Sequence, residues 1–199
     1  MRLFIAVNPG SEIKDKIMKL QEQLRSQSAR GSFSRPENFH ITLAFLGETP
    51  EGRAGVICNL MEKIQAAPFD VVFNRTGCFT HSRKELWWIG PDQKSPGLSG
   101  LVSIHDQLLG LLLEAGFAAD TRPFRAHITL GREIRPLRLS GSSSALAKPI
   151  ILDCPDITIP VNRIRLMKSE HIGSVLTYTE LFSVEMKNTS APSPQGNFP

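Results

Sequence analysis

The sequence predicts a protein of mixed helices and strands, built as two related and closely packed halves. Three observations carry that expectation. The frame RP-x-x-x-HITL occurs twice, at residues 35–43 and again at residues 122–130. Apolar residues shift along the chain between the two-residue spacing of strands and the three-to-four-residue spacing of helices. No stretch has the length or the Pro, Gly and polar content of a linker between independent domains.

The elements follow in order. RLFIAV, residues 2–7, is a short apolar run ended by Asn8-Pro9-Gly10, a strand and its stop. SEIKDKIMKLQEQLRS spaces Ile13, Ile17, Leu20 and Leu24 as a helix, with Ser11 as N-cap. FHITLAFLG is the next strand, with Ile41, Leu43 and Phe45 on its core face. Thr49-Pro50-Glu51 opens a second helix through about Ala67. FDVVFNRTGCF and ELWWIG are two strands joined by the polar turn THSRK, so the first half is βαβαββ in outline. PGLSGLVSIHDQLLGLLLEAG is an apolar helix whose stripe holds Leu101, Val102, Leu108 and Leu112, with Gly116 closing it. FRAHITLGR, DITIPVNRIRLMKSE and SVLTYTELFSVEM supply the last strands, and the Ser-rich LRLSGSSSALAKP reads as loop with a short helix as the alternative. KNTSAPSPQGNFP cannot bury enough surface to order itself, so a domain of residues 1–186 is followed by a flexible tail, 187–199.

Composition narrows the classes of function. Of 199 residues, 41% are hydrophobic and 21% charged, which is ordinary for a soluble globular protein. The net charge of +4 favours a polyanionic partner without naming one. The N-terminal apolar run is shorter than a signal h-region or a membrane span, so a cytoplasmic protein with no membrane partner is expected. Cys58, Cys78 and Cys154 are odd in number, far apart and without a C-x-x-C pair; they read as small buried residues and not as a disulfide framework or a zinc site. Neither K-x-D-G nor G-x-x-x-x-G-K-[ST] occurs, which excludes an adenylating ligase and a P-loop enzyme from the expectation.

The repeated motif carries the chemistry. Along a strand, alternate side chains share a face, so HITL sets His beside Thr and sends Ile and Leu the other way. His40 with Thr42 and His127 with Thr129 would then face a shared cleft between the halves. Duplication of a fold alone would match core positions best, whereas here polar His and Thr match while most flanking sequence has diverged. Two imidazoles suit phosphate ester chemistry: a neutral one takes a proton from water and a charged one delivers a proton to the leaving oxygen. The threonine hydroxyls can donate to non-bridging phosphoryl oxygens, and no metal or other cofactor is required.

These residues, with RLFIAV at the start, FLGE after the first motif, the G-x-F and LWWIG segments and an Arg after the second motif, resemble the two-histidine (2H) phosphoesterases. The chain is most similar to the LigT/ThpR-type RNA 2′,3′-cyclic phosphodiesterases, also called 2′-5′ RNA ligases. The resemblance implies a bilobal, pseudo-symmetric α+β fold, with two antiparallel sheets lining a central cleft and helices outside. It implies hydrolysis of an RNA-terminal 2′,3′-cyclic phosphate to a 2′-phosphomonoester, with His40 as proton donor, His127 as proton acceptor, and Thr42, Thr129 and Arg132 on the phosphate. Strand parity alone puts Arg132 on the face opposite His127, so that role requires the strand to bend. Tyr178 is a candidate substrate contact. RNA ends, including tRNA fragments and small cyclic nucleotides, are the expected partners of a monomer. The alternatives are ATP-independent 2′-5′ ligation at the same site and a non-catalytic module that binds RNA ends.

Other conspicuous residues have plainer readings. His105 lies on the apolar helix stripe and reads as a packed histidine, while His81 reads as solvated in its turn and His171 flanks the last strand. Trp87 and Trp88 alternate, so one packs inward and the other can stack. Arg122, Arg125, Arg132, Arg135 and Arg138 form either an RNA-binding rim or a solvated basic edge.

Overall fold

The computed structural model describes residues 1–81, 84–118, 120–138 and 147–187. Its elements begin β1 (Arg2–Val7), α1 (Ser11–Ser26), β2 (Ser28–Phe33), β3 (Ile41–Glu48), α2 (Ala54–Met61), β4 (Phe69–Phe73), β5 (Arg75–His81) and β6 (Lys84–Gly90). They continue with α3 (Leu98–Glu114), β7 (Ile128–Pro136), β8 (Ile157–Val161), β9 (Arg163–Ile172) and β10 (Val175–Glu185). Two four-stranded antiparallel sheets result, ordered β10-β9-β1-β3 and β2-β7-β6-β5, joined by the two-stranded ribbon β4-β8. Each sheet holds one HITL motif, on β3 and on β7.

The sheets do not follow the halves of the sequence. β1 and β3 pair with β9 and β10 from the far end of the chain, and β2 crosses over to pair with β7. The helices cross as well: α1 packs on β2 and β7, and α3 on β3. One hydrophobic core runs through both sheets, with Leu20 and Leu24 of α1 and Leu101, Leu108 and Leu112 of α3 fully buried in it. Among the described residues no helix is long and apolar enough to cross a membrane.

Several local expectations change for identifiable reasons. The stretch FDVVFNRTGCF breaks at Asn74, whose side-chain oxygen accepts from the backbone N–H of Asp92 at 3.0 Å; its first part pairs with β8 and its second with β6. DITIPVNRIRLMKSE breaks likewise at Asn162 into β8 and β9. The polar strand SARGSF was not expected, because its strand character comes from its partner β7 and not from its own residues. α2 ends at Met61 instead of Ala67, and Gly10 takes the N-cap position of α1 with Ser11 its first helical residue. Val102 is 37% exposed, off the buried stripe of α3. The three cysteines are free and half-buried, not buried. Gly116 does close α3, at φ +72, with the Phe117 N–H donating to the Leu112 carbonyl at 2.9 Å. The expected tail beyond Lys187 and residues 139–146 of the Ser-rich stretch lie outside the described residues.

One glycine shapes the site. A Cβ on Gly77 would stand 2.3 Å from the Trp88 ring, so only glycine lets that indole lie across β5. Trp88 thereby covers the inner face of the second sheet, beside Thr129.

Candidate active site

Each motif strand carries a β-bulge at the same place. On β3, Ala6 and Ile5 of β1 face Thr42 and Ala44, which leaves Leu43 as the extra residue. On β7, Trp88 and Trp87 of β6 face Thr129 and Gly131, which leaves Leu130 as the extra residue. A bulge inserts one residue and flips the alternation beyond it. Phe45 and Arg132, each five residues after its histidine, are thus turned to the face that carries Thr42 and Thr129. This corrects the placing of Phe45 in the core, since it is 41% exposed. It also supplies the bend that a role for Arg132 requires.

The carbonyl of each extra residue is held by a buried side chain from a helix. Gln21 of α1 donates from Nε2 to the Leu130 carbonyl and to the Ser34 carbonyl, both at 2.7 Å, and the Ser34 N–H also reaches Leu130 at 3.0 Å. His105 of α3 donates from Nδ1 to the Leu43 carbonyl at 2.7 Å. Both side chains are only 7% exposed. His105 is the packed histidine that the sequence suggested, whereas Gln21 escaped notice; its signal is a polar residue on the same stripe as Ile17, Leu20 and Leu24.

His40 and His127 stand immediately before their strands, held alike. His40 Nδ1 lies 2.7 Å from the Asn38 carbonyl, and His127 Nδ1 lies 2.7 Å from the Arg125 carbonyl, in each case two residues back. A carbonyl only accepts, so both rings carry their hydrogen on Nδ1 and keep a lone pair on Nε2 while neutral. Burial brings the His40 imidazole from its ordinary value of 6.5 down to about 4, against the pull of the Asn38 carbonyl, and the nearby charges of His127 and Arg132 add to the fall. Burial lowers His127 too, opposed by the Arg125 carbonyl and assisted by Arg132. Phe4 and Tyr178 wall the His40 ring at 4.8 and 5.1 Å, and Phe79 meets the His127 ring edge-on at 5.3 Å.

Thr42 and His127, from different lobes, line one cavity, so the two motifs meet across the cleft. The charge of Arg132 acts on His40, on His127 and on the Tyr178 phenol, whose pKa burial raises and Arg132 and Arg2 oppose. Arg132 pairs with no carboxylate among the described residues, whereas Arg122 is bound through Nε to Asp120 at 2.9 Å and Arg35 to Glu37 at 3.4 Å. The basic stretch is therefore not uniform. Trp87 packs against the core and donates to Glu85 at 2.9 Å, while Trp88 lies against Phe79 at 5.2 Å. His171 is exposed at the end of β9, and the side chain of His81 lies outside the described residues. Among the described residues no three His, Cys, Asp or Glu side chains gather to hold a metal ion.

Comparison with known proteins places this arrangement. The family model LigT like Phosphoesterase matches residues 7–88. An RNA 2′,3′-cyclic phosphodiesterase of Archaeoglobus fulgidus is 32% identical over 133 residues, covering 66% of this chain and 72% of that protein. A protein of the same name from Geobacillus stearothermophilus is 29% identical over 78% of this chain, and the match spans only 50% of that relative's length. The crystal structure of Escherichia coli LigT complexed with 3′-AMP has the same fold, at a TM-score of 0.77 and 24% identity over 94% of this chain and 98% of that one. Two lobes, each with a histidine motif on its inner strand, define a two-histidine phosphoesterase, and the chain belongs to the LigT-like phosphoesterase family.

The bulge clamps make a testable demand. Gln21→Leu keeps the volume but removes a donor from a buried carbonyl, and should lower unfolding free energy by about 1–3 kcal/mol in urea titration. Because Thr129 and Arg132 depend on that bulge, kcat on a cyclic phosphate should fall while KM changes little. A variant of unchanged stability and unchanged kcat would refute the clamp.

Proposed function

We propose that this protein hydrolyses the 2′,3′-cyclic phosphate at an RNA end to a 2′-phosphomonoester by paired acid and base catalysis. The observation that carries the proposal is the matched pair of imidazoles, each locked through Nδ1 to its own backbone, on two lobes that share a cleft. The names of the relatives support the substrate class. His127 takes the proton of an attacking water at its bare Nε2, and the protonated His40 gives its Nε2 hydrogen to the ribose 3′ oxygen as the P–O3′ bond breaks. Water's oxygen becomes the fourth phosphate oxygen, and the ribose leaves with a free 3′ hydroxyl. Thr42, Thr129 and Arg132 stabilise the charge that grows on the non-bridging oxygens. Tyr178 walls the His40 side of the cleft. Both transfers are made by side chains, so the step uses neither metal nor ATP. A ribose hydroxyl in the place of water would give 2′-5′ ligation at the same site.

The low pKa of His40 shapes the cycle. Near neutrality the free protein leaves that ring unprotonated, and a phosphate anion seated against it opposes the desolvation and charge effects that lower it. The donor form therefore builds up with substrate bound.

Three outcomes test this reading. His40→Ala and His127→Ala should each lower kcat by ~10² to 10⁴ on a short RNA with a 2′,3′-cyclic end, with Thr42→Ala and Thr129→Ala milder. Near-wild-type turnover in either histidine variant would refute the pair. One proton must sit on a pair whose pKa values are both lowered, so kcat/KM should fall about tenfold per pH unit above the ordinary value of 6.5. Bound phosphate raises the donor's pKa, so the falling limb of kcat should lie at higher pH; a kcat/KM that climbs from pH 7 to 9 contradicts this. Finally, the product should resist an enzyme specific for 3′-phosphates. Complete dephosphorylation would reverse the roles given to His40 and His127.

A further inference from the structure

Beside the histidines lies a cavity of about 580 Å³, within the range of roughly 300–1,000 Å³ that small-molecule sites occupy. Phe45 of β3 walls it on one lobe and Phe79 and Leu86 on the other, with Leu109 and Phe124 at the back. Thr42 and His127 also line it, so the cavity and the seat of the phosphate are continuous. Its polar groups are already engaged. Asp120 holds Arg122, and His105 spends its Nδ1 hydrogen on Leu43 while its ring stacks on Phe124 at 4.5 Å. What remains facing the space is flat and apolar.

The duplicated motif sharpens this. Equivalent positions after the two bulges carry Arg132 in one lobe and Phe45 in the other, so one lobe offers a charge and its counterpart an aromatic face. A ligand suited to both has an anionic end joined to a planar, weakly polar body. Arg125, 5.7 Å from the Phe79 ring centre and without a carboxylate partner among the described residues, adds a cation at the Phe79 wall.

Resting on the phosphodiesterase reading above, we propose that this cavity seats the base of the terminal nucleoside, held by stacking on Phe45 and Phe79 and not by hydrogen bonds to the base edge. The site should then be tolerant of sequence, since every base has a π-face, and Arg125 would meet the backbone of a longer chain.

The test compares adenosine 2′,3′-cyclic phosphate with the 2,3-cyclic phosphate of methyl riboside, which has no base. Wild-type kcat/KM should favour the nucleoside ester by roughly tenfold or more, and Phe45→Ala should reduce that ratio by roughly tenfold. Leu109→Trp, which fills the back of the cavity, should also reduce it, and the four nucleoside esters should lie within about tenfold of one another. A wild-type ratio near one, a ratio unmoved in both variants, or a hundredfold preference for one base would overturn the stacking site while leaving the phosphodiesterase standing. If folded wild-type protein hydrolyses neither ester, the phosphodiesterase reading falls and takes this inference with it.

Discussion

The geometry of the cleft hangs on two backbone carbonyls, those of Leu43 and Leu130, each fixed by a buried polar side chain. In an unbroken strand, His, Thr and the residue five places after His could not share a face. The extra residue resolves that conflict. It also puts a carbonyl where the ladder no longer serves it, and a buried carbonyl without a donor costs about 1–3 kcal/mol. Gln21 and His105 are therefore placed where apolar residues would otherwise belong, and their hydrogen bonds penalise any register in which the bulge is lost. Packing, register and the aim of the site are one constraint seen at three levels.

Symmetry supplies the pair of histidines, and asymmetry gives it direction. Both rings are anchored to a carbonyl two residues back and both present the same nitrogen, so nothing in their local bonding separates donor from acceptor. The difference comes from what surrounds them. His40 sits in an aromatic enclosure of Phe4 and Tyr178 that makes its charged form costly, while His127 meets the edge of Phe79. Arg132 has no charged counterpart in the first lobe. A duplicated strand has thus become a polar device through substitutions outside its HITL core.

Much of this was legible in the sequence. The repeated HITL identifies both histidines and both threonines because side-chain alternation and chemistry agree there. Arg132 and Phe45 were harder, since a bulge leaves no mark in the apolar pattern: Leu43-Ala44 and Leu130-Gly131 look like ordinary strand residues. β2 was invisible for another reason. SARGSF gains its strand character from β7, which lies far along the chain, and local propensity carries no trace of a distant partner. Gln21 could have been found, as could the break at Asn74, because an amide within an apolar run asks where its hydrogen bonds go.

The interleaving of the sheets has a consequence for how the protein is made. Residues 2–6 pair with residues 165–169, and the last strand closes the same sheet. An emerging chain can bring β2, β5 and β6 into being, yet the strand that holds the first histidine lacks half its sheet until the final segment leaves the ribosome. Such long-range pairing belongs to the slow end of folding rates and leaves strand edges open in the interval. A prematurely terminated chain would carry the intact HITL twice and still be inert, so the whole polypeptide is the smallest unit that can acquire activity.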